Sequence, residues 1–329
     1  MIQTQVDRQF GALIMRLIRK ENLSRSESRD AFFTILEDAT TEMQQGAFLS
    51  ALAAKGETED EVAGAWEAIY ELDTRQVFLN AQMPLLENSG TGMDTFKTFN
   101  ISTAASIIAA AGGIMMARHG ARAITSVCGT VDMAEALGVD VECPADMVAE
   151  SIEKVGIGLF NGMSPKIHPR ALGRILSKLS FGSTLNIAAS LANPALPEMG
   201  VRGVYAKEMI RPVAKVMKAI GYRRAVVLYG SIDGSDKGMD EASVCGATFC
   251  AELTHEGDIR EFSFRPEDLG LNCHDPVGLL PAGDIGREAK RFVSLIRGKS
   301  SGTRKAPALL NAGLIFYAAG KTDTIRDGI

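Results

Sequence analysis

Through the first 75 residues apolar side chains return at three- and four-residue spacing, as in "AFFTIL", "FLSALAAK" and "VAGAWEAI". That is the period of a helix with one buried face. Each run follows a capping signature: Ser24-x-x-Glu27, Thr41-x-x-Gln44 and Thr58-x-x-Glu61. In such a box the hydroxyl accepts from a free N–H of the first turn, and the Glu or Gln side chain accepts from the cap residue's own N–H. Residues 1–75 are predicted to form a small helical domain whose spare apolar face packs against a second copy of the chain.

From Leu85 onward the pattern changes to glycine-rich loops between short β-type runs and alanine-rich helices. "GGIMMA", "AITSVC", "VGIGLF" and "RAVVLY" predict buried strands, and "ISTAASIIAAA" predicts a helix between them. Alternation of this kind builds an α/β domain with a mostly parallel central sheet. "ATFCAELTHEGDIREFSF" predicts an antiparallel hairpin at the sheet edge, turning at "THEGD". The helical piece "HPRALGRILSKL" interrupts the alternation. Residues 168–192 are therefore expected to complete the helical domain, leaving 85–167 and 193–329 to the α/β domain.

Composition narrows the function classes. With 329 residues, 46% of them hydrophobic, the chain can fill two cores. A net charge of -5 argues against broad nucleic-acid or membrane-surface binding. No apolar run reaches membrane-span length, and the N-terminus mixes charged with apolar residues, as an amphipathic helix does and a signal peptide does not. Five scattered cysteines without a C-x-x-C pair read as reduced thiols of a cytoplasmic protein and argue against a zinc site.

In an open parallel sheet ligands gather at the carboxyl ends of the strands, and three loops fall there. "NSGTGMDTFKTFNIST" (Asn88 to Thr103) fits neither common nucleotide pattern: the third glycine of G-x-G-x-x-G falls on Thr95, and no P-loop Gly-Lys pair is present. Gly90, Thr91 and Gly92 nevertheless allow close backbone approach, and "NIST" opens a helix whose N-terminus attracts anions. A phosphate cradle and an ordinary glycine turn with a polar cap explain these residues equally well. The second loop offers Arg118, His119 and Arg122, cations suited to a polyphosphate or to a basic surface turn. The third, "YGSIDGSDKGMDEAS", carries Asp233, Asp236, Asp240 and Glu241. These suit Mg²⁺ completed by phosphate and water, or a solvated acidic turn.

Taken together, the motifs resemble the anthranilate phosphoribosyltransferase family over nearly the whole chain. "SGTGMDTFKTFNISTAA" is similar to the family's G-T-G-G-D…T-F-N-I-S-T-A-A signature, and "ARHGARAITSVCGTVDMAEALGV" to its K-H-G-N-R…S-G-S-x-D-x-L-E-A-L-G segment. "LANPA", "GVY", "MDEAS" and "LLNAGLIFYAAG" follow in the family's order. The resemblance implies a nucleoside phosphorylase/phosphoribosyltransferase-like fold, a homodimer, and transfer of phosphoribosyl from 5-phosphoribosyl 1-pyrophosphate (PRPP) to an aromatic nitrogen. It places Gly90, Thr91, Gly92 and Asp94 on the pyrophosphate and ribose, and Asn100, Ser102, Thr103, Arg118 and Thr130 around the phosphates. It places two Mg²⁺ ions on Asp240 and Glu241, with Ser102 as a further ligand. No residue is assigned to acid–base catalysis, because charge stabilisation and positioning do the work.

The acceptor half departs from the family. Met93 replaces a glycine of the signature in the PRPP loop, and on the acceptor side Ala121 replaces the asparagine that follows His119-Gly120. Leu176 stands where the family's carboxylate-binding arginine is expected, with Arg170 and Arg174 nearby as substitutes, and Ser190 replaces a proline. The expected acceptor site is therefore His119, Ala121, Arg174, Leu176 and Ser190, for anthranilate or for a different small aromatic acceptor. Two other readings compete: a non-catalytic nucleic-acid-binding relative, opposed by Asp240-Glu241 and the charge of -5, and a nucleoside phosphorylase, opposed by "NIST".

Overall fold

A computed structural model describes residues 2–80, 83–123, 127–179, 181–300 and 302–329. The chain divides into two compact units, Met1–Gln76 with Gly162–Pro194, and Val77–Asn161 with Ala195–Ile329. The strand expected over "AITSVC" spans residues 123–128, of which 124–126 lie outside the described residues and 123, 127 and 128 are not in a strand.

Helices α1 (Ile2–Ile18), α2 (Arg25–Leu36), α3 (Glu42–Lys55) and α4 (Glu59–Asp73) open the first unit. Two capping boxes close reciprocally, at Ser24–Glu27 and Thr58–Glu61. The third is half formed: Thr41 accepts from Gln44 N–H, but the Gln44 side chain goes to Thr40 and the Asp7 carbonyl. Glu61 is fully buried and saturated, accepting from Leu23 N–H, Thr58 N–H and Lys55 Nζ, each at 2.8 Å.

The chain then enters the second unit through β1 (Leu85–Gly90), α5 (Ile101–Ala111), β2 (Met115–Gly120), α6 (Thr130–Ala136), α7 (Ala145–Val155) and β3 (Ile157–Asn161). It returns to the first unit as α8 (Leu172–Leu176) and α9 (Thr184–Leu191). Buried Asp73, at the end of α4, accepts from the N–H groups of Arg170, Ala171 and Leu172 at 2.5, 2.9 and 2.7 Å, so one carboxylate caps the start of α8. Trp66 of α4 donates to the Leu191 carbonyl at 2.9 Å. Polar bonds thus fix the second segment of this unit to the first.

The second unit closes with β4 (Met199–Gly203), α10 (Ile210–Ala219), β5 (Arg224–Ser231), β6 (Gly238–Met239), β7 (Thr248–Leu253), β8 (Ile259–Phe264), α11 (Ile285–Ile296), α12 (Gly302–Ala318) and α13 (Ile325–Gly328). The sheet runs β3-β2-β1-β4-β5-β7-β8, with β6 pairing β5. Strands β1 to β5 are parallel, and β6, β7 and β8 are added antiparallel. The "THEGD" turn joins β7 to β8 as the alternation predicts. Helices α5 and α12 pack the main core over this sheet, around Leu86, Ile101, Met116, Val201 and Leu314. The chain winds outward from β1 to β3 and then in the other direction through β4 and β5. The switch of direction leaves a crevice beyond the carboxyl ends of β1 and β4, where open α/β sheets bind ligands. Among the described residues no helix is long and apolar enough to cross a membrane.

Asp73 supports a test of the first unit. Asp73→Ala strands three amide donors and should cost about 2–4 kcal/mol, read as a lower denaturation midpoint. Glu71→Ala breaks only an exposed pair with Arg29 and should stay within about 0.5 kcal/mol of wild type.

Candidate active site

Gly90 ends β1 and pairs in register with Gly203, which ends β4. Neither has free space for a side chain as Asp240 is placed. A Cβ on Gly90 would lie 2.3 Å from Asp240 Oδ2, and one on Gly203 would lie 1.6 Å from the Asp240 carbonyl. Gly230 of β5 likewise leaves room for the Glu241 carbonyl. Bare backbone at three strand ends lets the Asp240-Glu241 segment lie across the crevice. The β5–β6 hairpin delivers that segment, and Thr95 and Phe96 hold it from the other side through hydrogen bonds to Gly238.

Both carboxylates reach back to the glycine loop. Asp240 Oδ2 accepts from Gly92 N–H at 2.6 Å, with Gly92 in the left-handed region at φ +70°. Glu241 Oε1 accepts from Ser102 N–H at 3.1 Å and Oε2 from Thr98 Oγ1 at 2.6 Å. Asn100, at the N-terminus of α5, makes no side-chain cap and donates instead to the Cys128 carbonyl at 3.1 Å. The anion attracted by that helix end is therefore Glu241 itself.

Cations surround the acidic pair. Arg118 of β2 is buried and donates to Thr103 Oγ1 (2.7 Å), Ser102 Oγ (3.3 Å) and the Asn88 carbonyl (3.1 Å). Lys97 Nζ bridges Asp94 Oδ1 at 2.7 Å and the Gly92 carbonyl at 2.9 Å. Thr130, the first residue of α6, faces Thr103 with hydroxyls 3.4 Å apart. The Thr91 hydroxyl is buried with no hydrogen-bond partner among the described residues, and Met93 turns its side chain outward, 41% exposed.

Burial dominates the electrostatics. It pushes Glu241 up to about 8, helped by the charge of Asp240, and Asp94 up to about 6 for the same two reasons. Asp240 is raised too, chiefly by burial. Burial lowers Arg118 to about 10 against the pull of Glu87 and Glu241. Three carboxyl groups crowded in this way are short of positive charge. Among the described residues no three His, Cys, Asp or Glu side chains form a complete metal cage. Their donor chemistry suits a hard cation that completes its shell with phosphate and water.

The other expected residues are divided between the two units. His119 is buried in β2, on the opposite face of the sheet from Arg118 because successive strand residues alternate. Ala121 lies in the loop after β2, its carbonyl accepting from Val131 N–H. In the helical unit, Arg174 is engaged by Asp38 (3.2 Å), Gln45 (3.3 Å) and the Ile35 carbonyl (3.1 Å). Arg170 is exposed, Leu176 is half-buried, and Ser190 donates to the Ile187 carbonyl. Asp233 and Asp236 stay in the exposed hairpin, Asp233 pairing with Arg265.

Sequence reading missed two supports. Arg304 stacks over the Phe99 ring at 4.5 Å and pairs with buried Glu288 at 2.6 Å, fixing the residue between Thr98 and Asn100. On the other face of β1 and β4, Tyr222 and Ser89 donate to Glu87 at 2.8 and 3.2 Å, and Arg202 donates to Ser89 at 2.6 Å. Gly203, immediately after the charged Arg202 within an otherwise apolar run, was the available signal for a strand end under close approach.

The chain matches the glycosyl transferase family a/b domain over residues 82–329 and the family's helical bundle domain over residues 12–72. It is 36% identical over 319 residues to an anthranilate phosphoribosyltransferase of Anaeromyxobacter sp. (strain Fw109-5), covering 96% of this chain and 90% of that one. The crystal structure of anthranilate phosphoribosyltransferase from Thermus thermophilus superposes with a TM-score of 0.86 at 31% identity, covering 96% and 92% of the two chains. The Saccharomyces cerevisiae anthranilate phosphoribosyltransferase in complex with PRPP and Mg shares the fold, with a TM-score of 0.83 at 21% identity and coverage of 98% and 92%.

The raised carboxyl groups imply a pH signature. Glu241 holds its proton more tightly when folded, so its contribution to stability is full below its ordinary value of 4.5 and is lost as pH rises to about 8. Glu241→Gln keeps an acceptor for Ser102 and a donor for Thr98 without the charge. In metal-free buffer the variant should melt above wild type at about pH 8 and lose that advantage by about pH 5, as followed by thermal denaturation.

Proposed function

The chain belongs to the anthranilate phosphoribosyltransferase family of pentosyltransferases, and from that premise we propose that it transfers phosphoribosyl from PRPP to the nitrogen of an aromatic amine with release of pyrophosphate. One observation carries the reading: a carboxylate pair lies across a glycine-lined crevice at the switch point of the sheet, seated on the amides of a phosphate-type loop. Gly90, Thr91 and Gly92 would offer N–H groups to the pyrophosphate, and Asp94 would meet the ribose. Asn100, Ser102, Thr103 and Thr130 would line the phosphate side, with Arg118 supplying charge through the hydroxyls it orients. Asp240 and Glu241, with Ser102, would hold Mg²⁺, and their shortage of positive charge fits that ion. When bound, Mg²⁺ neutralises charge developing on the leaving pyrophosphate.

The chain's own contribution is positioning and exclusion of water. Rigid strand ends fix the donors before the ligand arrives, so little reorganisation is needed as charge moves from the ribose carbon to the leaving group. Asp240→Ala together with Glu241→Ala should abolish pyrophosphate release and spare the fold, judged by circular dichroism.

Anthranilate is the acceptor indicated by the relatives. A second reading is favoured by the commitment of Arg174 to Asp38, Gln45 and the Ile35 carbonyl, while Ala121 and Leu176 offer no side-chain donor. A desolvated carboxylate without a partner binds poorly, so an acceptor lacking the ortho carboxylate would then be preferred. Comparison of kcat/KM across aromatic amines decides between them. An efficiency for anthranilate of about 10⁴ M⁻¹s⁻¹ or more, above every other amine, would establish the first reading.

Exposed Met15 and Ile18 on α1 and Met43 on α3 (49%, 60% and 85% exposed) support a homodimer through the helical unit. Light scattering at micromolar concentration should give twice the chain mass, and Met15→Lys with Ile18→Lys should shift it toward monomer.

A further inference from the structure

The glycine loop is occupied by groups of the chain itself. The Gly92 peptide is held on both sides: its N–H donates to Asp240 Oδ2 at 2.6 Å, and its carbonyl accepts from Lys97 Nζ at 2.9 Å. The same ammonium pairs with Asp94 at 2.7 Å, a carboxylate whose side chain is 5% exposed, whereas the lysine side chain is 27% exposed. Lys97 therefore stands at the solvent side of Asp94, and its charge also acts on Asp240. Arg118, a second cation near this cluster, is buried behind Ser102 and Thr103 with its hydrogen bonds directed to them and to Asn88. Lys97 has a flexible four-carbon stem and a compact charge, and it can leave without disturbing the sheet.

We propose that Lys97 is a built-in counter-cation that holds the loop closed on Asp94 in the ligand-free protein and opposes, through its charge, a divalent metal ion at Asp240 and Glu241. This deepens the phosphoribosyl-transfer reading and rests on it. The ammonium offsets part of the negative charge of Asp94, Asp240 and Glu241 until a metal ion arrives. A metal ion arriving at Asp240 and Glu241 is repelled by that charge, so it binds weakly until the ammonium moves away. Exchange of a monovalent for a divalent charge then opens the ring formed by Gly92, Asp94 and Lys97.

Mn²⁺ binding, followed by loss of the free-ion paramagnetic signal, tests this without turnover. Wild type, Lys97→Met, Lys97→Gln and Lys97→Arg are titrated with Mn²⁺ alone and again with inorganic pyrophosphate present. Lys97→Met and Lys97→Gln should bind Mn²⁺ alone about threefold to tenfold more tightly than wild type, the range for one partly screened charge. Lys97→Arg, which keeps the charge, should match wild type. Unchanged or weaker Mn²⁺ affinity in Lys97→Met, or equal tightening in Lys97→Arg, would overturn the inference alone. A wild type that takes up no Mn²⁺ even with pyrophosphate overturns it together with the transfer reading.

Discussion

The placement of Asp240 and Glu241 across the ends of β1, β4 and β5 constrains everything near the crevice. A carbonyl that would sit 1.6 Å from a Cβ on Gly203 admits no other residue there, so the strand must end in bare backbone. The same closeness lets Asp240 reach Gly92 N–H and Glu241 reach Ser102 N–H. The Gly92 amide is the main favourable contact of Asp240, and Glu241 is held by the Thr98 hydroxyl and the Ser102 amide; both amides are groups that would receive phosphate oxygens. Anion seat and acidic pair are therefore one construction.

That construction carries a cost in stability. Burial of several like charges opposes folding, and the surrounding contacts offset it by rigid support. Arg304 and Glu288 clamp Phe99 from the α11–α12 side, and the Glu87, Ser89, Arg202 and Tyr222 group fills the opposite face of β1 and β4. Such buried pairs add little net stability. Their directional bonds restrain the backbone that carries Gly90 and Gly203. The helical unit relies on the same device, since Asp73 and Glu61 each satisfy three donors at a join between segments.

Much of this was legible in the residues. Helical spacing and the boxes at Ser24 and Thr58 marked α2 and α4, because capping is a local interaction between residues three apart. Continuous apolar runs marked β2, β3 and β5, and the "THEGD" turn marked β7 and β8. Strands β1 and β4 escaped notice. "LLENSG" and "MGVRG" carry Glu87, Asn88, Ser89 and Arg202 in buried positions, and a polar strand interior is acceptable only when distant partners satisfy it. The loop residues Gly90 to Asp94, the "NIST" helix start and the Asp240-Glu241 pair were each visible as candidates for ligand chemistry.

The sequence by itself determined which residues have the chemistry for such a site, because residue type and local spacing decide helix caps, strand runs and anion-type loops. Only the tertiary structure decided how these pieces meet. Asp240 lies 148 residues from the Gly92 amide it accepts from, and Glu241 lies 139 residues from Ser102. No local pattern encodes such pairings, since they follow from strand order, register and a hairpin that returns the chain over the sheet. The same holds for the commitment of Arg174 to Gln45 and Ile35. A cation's partner is set by which groups the fold brings within a few ångströms, and charge type alone cannot specify that distance.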